Sequence, residues 1–133
     1  MADTILLIED NAFDAKVFRY ALRDAGVDLP VKVARDGVHA LEILQRDPAG
    51  AEMLIVTDLK MPRMGGIELL RTIRSTEAIA HLPVFVVTTS SLPGDRDETL
   101  KLGIEGYVRK SGDEKEMTDP IVAYLVKKRG RTS

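Results

Sequence analysis

Short apolar runs alternate along the chain with segments in which apolar residues recur at helical spacing. The runs cover residues 5–8, 31–34, 53–57, 84–88 and, more weakly, 106–108. Apart from Lys32 and the threonines that end two of the runs, they are continuously apolar. A strand with one solvent-exposed face would alternate between apolar and polar residues. Five strand–helix repeats of this kind predict an α/β domain with a parallel sheet covered by helices on both faces.

The helical segments have apolar positions that should face the core. We expect Asn11 to cap the first helix through its side chain, because asparagine accepts readily from first-turn amides. The apolar positions predicted to share a face are Phe13, Val17, Ala21 and Ala25 in the first helix, Leu41 and Leu44 in the second, and Ile67, Leu70 and Ile73 in the third.

Two prolines predict where the last two helices begin. The stretch SSLPGD suggests that the fourth helix starts late, near Pro93. Proline is comfortable only in the first turn of a helix. We therefore expect Asp119 to cap a short last helix from Pro120 to about Lys128, preceded by an irregular turn around Met117.

Composition narrows the class of protein. The chain has 133 residues, 44% hydrophobic and 30% charged, and its net charge is −2. These values predict one globular domain over 1–133, with a core at about 4–128 and a frayed basic tail at 129–133. The charge gives no reason to expect nucleic acid as a partner, and no apolar stretch approaches the ~20 residues that cross a bilayer. With no signal peptide visible, we expect a cytoplasmic protein.

Polar side chains follow the ends of four of the five predicted strands. In an open parallel sheet, ligands bind in the crevice beyond the carboxyl ends of the strands, so these side chains should converge. Individually, an Asp after a strand is more often a helix cap, and threonines on a strand favour β structure without further meaning. Two adjacent acids at such an edge call for a cation, either a metal ion or a phosphate-binding lysine. The converging residues are Glu9, Asp10, Asp58, Thr88, Thr89 and Lys110.

Four motifs, LLIEDN, IVTDLKMPRMGG, LPVFVVTTS and GYVRK, resemble the signatures of the response-regulator receiver domain of two-component signalling. The resemblance extends from Thr4 to about Lys128. It implies a flavodoxin-like, doubly wound five-stranded parallel sheet in the order 2-1-3-4-5. It also implies a stand-alone response regulator that catalyses only its own phosphoryl transfer and slow dephosphorylation, and is otherwise no enzyme.

The resemblance assigns a role to each motif residue. Asp58 matches the phosphoacceptor, and a Mg²⁺ or Mn²⁺ ion would lie beside it. The other implied roles are metal ligation by Glu9, Asp10 and the backbone carbonyl of Lys60, phosphate pairing by Lys110, switching by Thr88 and Tyr107, and support of the loops by Thr89, Pro62 and Gly66.

The implied partners are a sensor histidine kinase, of the phytochrome type, and a downstream protein. The downstream protein would contact the face formed by the fourth helix, the fifth strand and the fifth helix, and a homodimer is also expected. A bound ion would explain why Glu9 and Asp10 stand side by side. Without it, we expect at least one of Glu9, Asp10 and Asp58 to have a raised pKa.

Three alternatives share features with this chain. A flavodoxin has the same fold, but Glu9 and Asp10 would repel its phosphate. A phosphatase of the haloacid dehalogenase type needs an acid two residues after the nucleophile, where this chain has Lys60. A degenerate receiver would act by docking alone, yet every required residue is present. One departure is Ser111 in place of the family's usual proline, and we expect a cis Lys110–Ser111 bond despite its cost of ~3 kcal/mol.

Overall fold

The computed structural model describes residues 4–47, 52–110 and 112–132, the last four of these by their backbone only. Because Ser111 lies outside the described residues, the expected cis bond between Lys110 and Ser111 stays a prediction. Within the described residues, no helix is both long and apolar enough to cross a membrane.

Strands and helices alternate along the described chain, as the apolar pattern predicts. The elements are β1 (Thr4–Ile8), α1 (Ala12–Asp24), β2 (Val31–Ala34), α2 (Gly37–Arg46), β3 (Met53–Thr57), α3 (Gly66–Ser75), β4 (Val84–Thr88), α4 (Pro93–Leu102), β5 (Gly106–Arg109) and α5 (Glu114–Thr132). All strand pairs are parallel, and the order across the sheet is β2-β1-β3-β4-β5. The flavodoxin-like prediction is therefore confirmed.

Each face of the sheet carries its own hydrophobic core. Leu6 and Ile8 of β1 belong to a cluster that includes residues of α2 and α3, while Ile5 and Leu7 belong to a cluster with residues of α1 and α5. All five residues of β1 are buried. Successive side chains of a strand point to opposite faces. A strand buried on both faces must therefore be apolar throughout, which is why the runs in the sequence do not alternate.

Helix α1 begins as predicted but buries a different face. Asn11 Oδ1 accepts a hydrogen bond from Asp14 N at 2.9 Å. Of the predicted apolar face only Ala21 is buried, while Val17 is half-buried, Phe13 is 72% exposed and Ala25 lies beyond the end of the helix. The buried residues of α1 are Ala15, Phe18, Ala21 and Leu22. Apolar residues occur on both sides of this helix, so their spacing alone could not tell which side would meet the sheet.

The predictions for the buried faces of α2 and α3 and for the start of α4 agree better with the structure than the prediction for α1. Leu44 of α2 and Leu70 and Ile73 of α3 are buried, while Leu41 and Ile67 are half-buried at the margin of their helices' buried faces. Helix α4 begins at Pro93, and the proline occupies the first helical turn. The predicted late start of this helix is confirmed.

Helix α5 contradicts the prediction of a short helix from Pro120. It begins at Glu114, after Asp113 Oδ1 accepts from Lys115 N at 3.0 Å, and Pro120 lies inside it. Met117 is therefore helical, and it is buried, as is Ile121 one turn later. Residues four apart share a helix face. Packing of that face against the sheet offsets the backbone hydrogen bond that proline cannot donate.

The same helix continues to Thr132. Residues 129–132 of the predicted basic tail are therefore helical backbone, and the fraying of this end stays a prediction.

Candidate functional site

Three carboxylates meet at the carboxyl edge of the sheet. The backbone ladder continues one residue past β1 and β3, because Glu9 N donates to Ala34 O at 2.9 Å and Asp58 N donates to Ile8 O at 3.1 Å. This holds both acids at the edge. One ligand oxygen from each of Glu9, Asp10 and Asp58 lies within 4.8 Å of the others. Glu9 and Asp58 are buried and Asp10 is exposed, so the cluster opens to solvent on one side.

Lys110, which follows the edge strand β5, reaches the same cluster across β4. Its backbone N donates to Thr88 O at 2.7 Å, which continues the pairing of β5 with β4. Its Nζ lies 2.5 Å from Glu9 Oε1 and 3.1 Å from Asp58 Oδ2. The convergence predicted from the strand ends is therefore present. A lysine neutralises part of the acidic charge, and oxygen atoms of three acids remain close enough to share an ion.

Asp14 is a fourth acid that the sequence reasoning missed. Its Oδ2 lies 3.8 Å from Lys110 Nζ. The cap formed by Asn11 places Asp14 in the first turn of α1, four residues after Asp10. An acid in the first turn of a helix is favoured by the helix dipole, so this position had a signal in the sequence.

The environment shifts the titration of two of these groups. Burial is the main cause that raises the pKa of Glu9; the hydrogen bond and charge of Lys110 oppose it, and the charge of Asp58 adds a smaller rise. Burial would lower the pKa of Lys110, but the hydrogen bond to Glu9 and the charge of Asp58 outweigh it, and this pKa is raised. One acid of the cluster thus has the expected raised pKa, with burial contributing more than crowding.

Asp58 is held by the chain that follows it. Its Oδ1 accepts from Leu59 N at 2.6 Å, and Thr57 Oγ1 donates to its backbone carbonyl at 2.8 Å. Gly66, at the start of α3, passes so close that an added Cβ would lie 2.3 Å from Asp58 O. Gly66 N also donates to Leu59 O at 2.9 Å. A side chain at position 66 would displace the backbone of Asp58.

The remaining loop residues lie at the same edge. Lys60 and Pro62 are exposed in the β3–α3 loop, two and four residues after Asp58. Carboxylate and carbonyl oxygens are the ligands that Mg²⁺ prefers, with water completing its shell. The carboxylates of the cluster therefore fit a hard divalent cation, and ligation by the Lys60 carbonyl stays a prediction.

The end of β4 carries hydroxyl groups. Thr88 is fully buried, and its Oγ1 accepts from Ser90 N at 3.2 Å. Thr89, in contrast, is exposed. Ser90 was not singled out from the sequence, yet its Oγ donates to Asp95 Oδ2 at 2.6 Å and accepts from Leu92 N at 3.3 Å. It thereby closes the turn into α4.

Tyr107 of β5 is half-buried beside this turn. Among the described residues, its hydroxyl is the buried side-chain group without a hydrogen-bond partner. Burial is the main cause that raises the pKa of this hydroxyl, and the nearby side chain of Ser90, although it forms no hydrogen bond of normal geometry, opposes the rise. The guanidinium of Arg96, on α4, lies 6.0 Å from the centre of the ring. Tyr107 thus connects α4 and β5 without a fixed polar contact of its own.

Comparison with known proteins identifies the family. Residues 5–122 match the family model of the response regulator receiver domain. This chain belongs to that family. Receiver domains interact with sensor histidine kinases and bind a divalent metal, and the cluster of Glu9, Asp10 and Asp58 gives this receiver domain a donor set of that kind.

Individual relatives cover most of this receiver domain. The polar-differentiation response regulator DivK of Brucella ovis is 26% identical over 125 residues, which is 94% of this chain and 98% of DivK. The solved bacteriophytochrome response regulator RtBRR is 31% identical with a TM-score of 0.78, covering 92% of this chain and 77% of RtBRR. The Mn²⁺-bound form of response regulator Rcp1 is 28% identical with a TM-score of 0.79, covering 92% and 94% of the two chains.

Proposed function

We propose that Asp58 accepts a phosphoryl group from a sensor histidine kinase in a reaction that requires Mg²⁺. The observation that carries this proposal is the arrangement of one lysine and three carboxylates at one sheet edge. Lys110 Nζ lies 3.1 Å from Asp58 Oδ2, and the oxygens of Glu9, Asp10 and Asp58 lie within 4.8 Å of one another.

The chemistry requires little beyond positioning and charge neutralisation. A carboxylate oxygen of Asp58 attacks the phosphorus of a phosphohistidine. An oxygen–phosphorus bond forms, the nitrogen–phosphorus bond breaks, and the imidazole nitrogen keeps the electron pair. Glu9, Asp10, Asp58 and the carbonyl of Lys60 would hold the metal, which supplies positive charge when bound.

Lys110 has the second cationic role. A lysine is a compact point charge that can follow a phosphoryl oxygen without the fixed geometry of an arginine. Its raised pKa keeps it protonated. In the unphosphorylated protein it pairs with Glu9 and Asp58, so it already lies where the phosphoryl group would arrive. Mn²⁺ is an alternative ion, as in the Mn²⁺-bound Rcp1.

The signal would pass through Thr88 and Tyr107. Thr88 Oγ1 already accepts from Ser90 N, and a hydroxyl that accepts one bond can still donate its own proton. A phosphoryl group on Asp58 would provide a new acceptor and draw the β4–α4 loop inward. Tyr107 could then turn, and the face formed by α4, β5 and α5 would change for a downstream protein. The phosphoryl group acts only as far as it favours one conformation over the other.

The relatives support a proposal for the partner kinase. RtBRR is a bacteriophytochrome response regulator, and its 31% identity supports a kinase of the phytochrome type for this chain. We include in the proposal a cytoplasmic location and formation of a homodimer.

The test is incubation with Mg²⁺ and acetyl phosphate, followed by measurement of the intact mass. The wild type should gain one phosphoryl group, and Asp58→Asn should gain none. Asp14→Asn is the matched control, because it removes a neighbouring acid 3.8 Å from Lys110 and should still be phosphorylated. Phosphorylation of Asp58→Asn would show that the acceptor is another residue.

A further inference from the structure

Arg63 has an unusual backbone conformation. Its φ is +64°, and among the described residues it is the one non-glycine with positive φ. Such a conformation is uncommon for a residue with a β-carbon and persists where surrounding contacts enforce it. Arg63 lies in the β3–α3 loop, five residues after Asp58. The question is which contact holds it there.

The side chain of Arg63 makes a two-pronged contact with Asp36. Nε lies 2.8 Å from Asp36 Oδ2, and Nη2 lies 3.1 Å from Asp36 Oδ1. Paired hydrogen bonds between a guanidinium and a carboxylate fix orientation as well as distance. Asp36 is itself 5% exposed, and its Oδ1 also accepts from His39 N at 2.9 Å as the N-cap of α2. Arg63 is therefore joined to a residue that cannot move without disturbing a helix end.

A second contact joins the same loop to α2. Gly37 N donates to Met64 O at 3.1 Å. A Cβ built on Gly37 would lie 2.6 Å from Met64 Cγ and 2.9 Å from Met64 O. The loop thus packs directly on the first helical residue of α2, at a distance that only glycine permits.

The other end of the loop is fixed as well. Gly66 N donates to Leu59 O, and Gly66 packs against the carbonyl of Asp58. Lys60, whose carbonyl belongs to the proposed metal site, lies between this anchor and the contact of Arg63 with Asp36. The path of the backbone at Lys60 therefore depends on both anchors.

We propose that Arg63 is a positioning residue for the metal site: by pairing with Asp36, it holds the β3–α3 loop so that the Lys60 carbonyl faces the carboxylates of Glu9, Asp10 and Asp58. This inference rests on the proposed function, since it assigns a further residue to the same site. Arg63 would contact neither the metal nor the phosphoryl group and would act through the loop. Partners of this outer kind commonly strengthen metal binding, because they reduce the rearrangement that binding requires.

The test measures Mn²⁺ binding directly, through the electron paramagnetic resonance signal of the free ion, on the full chain. Arg63→Gln and Asp36→Asn should each weaken binding about tenfold, the low end for outer partners of metal ligands. Asn is as good an N-cap as Asp, so Asp36→Asn removes the ion pair and keeps the cap. The double variant should bind no more weakly than either single one, since both remove the same interaction.

Two further variants separate positioning from general stability. Arg63→Lys keeps the charge without the paired hydrogen bonds, and it should restore part of the affinity. Arg71→Gln is the matched control, because Arg71 forms an ion pair with Glu98 between α3 and α4, away from the loop. It should bind Mn²⁺ as the wild type does. Melting in EDTA records any loss of stability independently of metal.

The outcomes distinguish this inference from the proposed function. If Arg63→Gln and Asp36→Asn bind Mn²⁺ with an affinity within about twofold of the wild type, the proposed role of Arg63 is overturned. Phosphorylation of Asp58 would still stand. An equal loss of affinity in Arg71→Gln would also overturn the role of Arg63, because the effect would then be general. If the wild type neither binds Mn²⁺ nor gains a phosphoryl group, the proposed function itself is wrong.

Discussion

Helices α3 and α4 contact each other and follow neighbouring strands, yet they are held in different ways. Helix α3 is anchored by apolar packing, and its buried residues are Gly66, Leu69, Leu70 and Ile73. Helix α4 buries only Thr99 among its ten residues. Leu100 of this helix is 51% exposed, and Leu92, just before it, is 56% exposed.

At α4, hydrogen bonds from the side chain of Arg74 take the place of apolar packing; this set of hydrogen bonds is called the Arg74 tether. Arg74, in the last turn of α3, donates to Leu102 O at 3.2 Å and to Gly103 O at 2.7 Å, where α4 ends. It also donates to Ala80 O at 2.9 Å and Leu82 O at 2.8 Å in the connection to β4. One side chain therefore joins the end of α4 to the body of the domain.

The comparison distinguishes a tightly packed helix, α3, from a loosely packed one, α4. The loop with Asp58 and Arg63 continues into α3, which is packed on the sheet and cannot shift without losing buried apolar contacts. Helix α4 can shift at lower cost, because few buried contacts would be lost. A receiver domain benefits from both: a fixed site for phosphoryl transfer, and a neighbouring helix that responds to it.

The largest expected difference is between two truncations. Ile73→Ala removes a fully buried side chain from α3 and should lower the free energy of unfolding by about 2–5 kcal/mol. Leu100→Ala in α4 removes a half-exposed side chain and should change it by less than about 0.5 kcal/mol. Urea denaturation of both variants measures the values. Similar losses in the two helices would contradict the comparison, since α4 would then be held by packing.

Removing the Arg74 tether should have the next largest effect on the free energy of unfolding. Arg74→Met keeps the apolar stem and leaves several carbonyls without their charged donor, so we expect a loss of about 2–3 kcal/mol. Hydrogen exchange should accelerate mainly in α4 and the following turn. Arg71→Gln, which breaks the exposed pair with Glu98, is the control and should cost little. Unchanged exchange in α4 would show that Arg74 does not hold it.

The same contrast explains what the sequence could predict. The central strands β1, β3 and β4 were predictable because each is buried on both faces, which leaves a continuous apolar run. The edge strands β2 and β5 are only partly buried, and their runs are correspondingly weaker. Asp58 and Lys110 were predictable because parallel strands bring their carboxyl ends to one edge. Periodicity could not choose between the two apolar sides of α1. Propensity alone placed the start of α5 at Pro120, whereas the helix begins at Glu114 and buries both Met117 and Ile121.

Contacts that a side chain makes with residues remote in sequence were beyond prediction. Arg63 meets Asp36 across 27 residues, and Arg74 meets the end of α4 across 28. Nothing in local spacing marks an arginine that will bind a carbonyl or a helix cap of another element. Such contacts depend on how the helices pack after the sheet has formed.

The acidic cluster connects the part of the domain around the tightly packed helix α3 with the part around the loosely packed helix α4. Asp58 follows β3, and Lys110 follows β5. Asp58→Asn removes one negative charge with almost no change of shape. We expect it to stabilise the metal-free protein at pH 7 by about 1 kcal/mol, because it removes repulsion between neighbouring like charges. Thermal melts in EDTA measure the effect. Millimolar Mg²⁺ should narrow it, because the ion stabilises the wild type by binding its folded state.

The pH dependence of this effect has a definite sign. The pKa of Glu9 is raised in the folded protein, in part by the charge of Asp58. A carboxyl group with a raised pKa favours the fold at low pH, and that contribution is lost as the pH rises through the folded pKa. The advantage of Asp58→Asn over the wild type should therefore grow from acid to neutral pH. A lower melting temperature for Asp58→Asn in EDTA would show that Lys110 more than compensates the three acids.

The smallest effect should come from Tyr107, at the boundary between β5 and α4. Its hydroxyl is buried without a partner, and an unsatisfied buried polar group is a cost to the fold. Tyr107→Phe should therefore stabilise the unphosphorylated protein. We expect a gain of about 0.5 kcal/mol in the free energy of unfolding, because the packing contacts that the hydroxyl makes are lost and offset part of the benefit. If phosphorylation lets the side chain turn and its hydroxyl find a partner, the gain should vanish in protein treated with Mg²⁺ and acetyl phosphate. Melting curves of both proteins before and after treatment decide this; a gain that persists unchanged would mean that Tyr107 does not respond to Asp58.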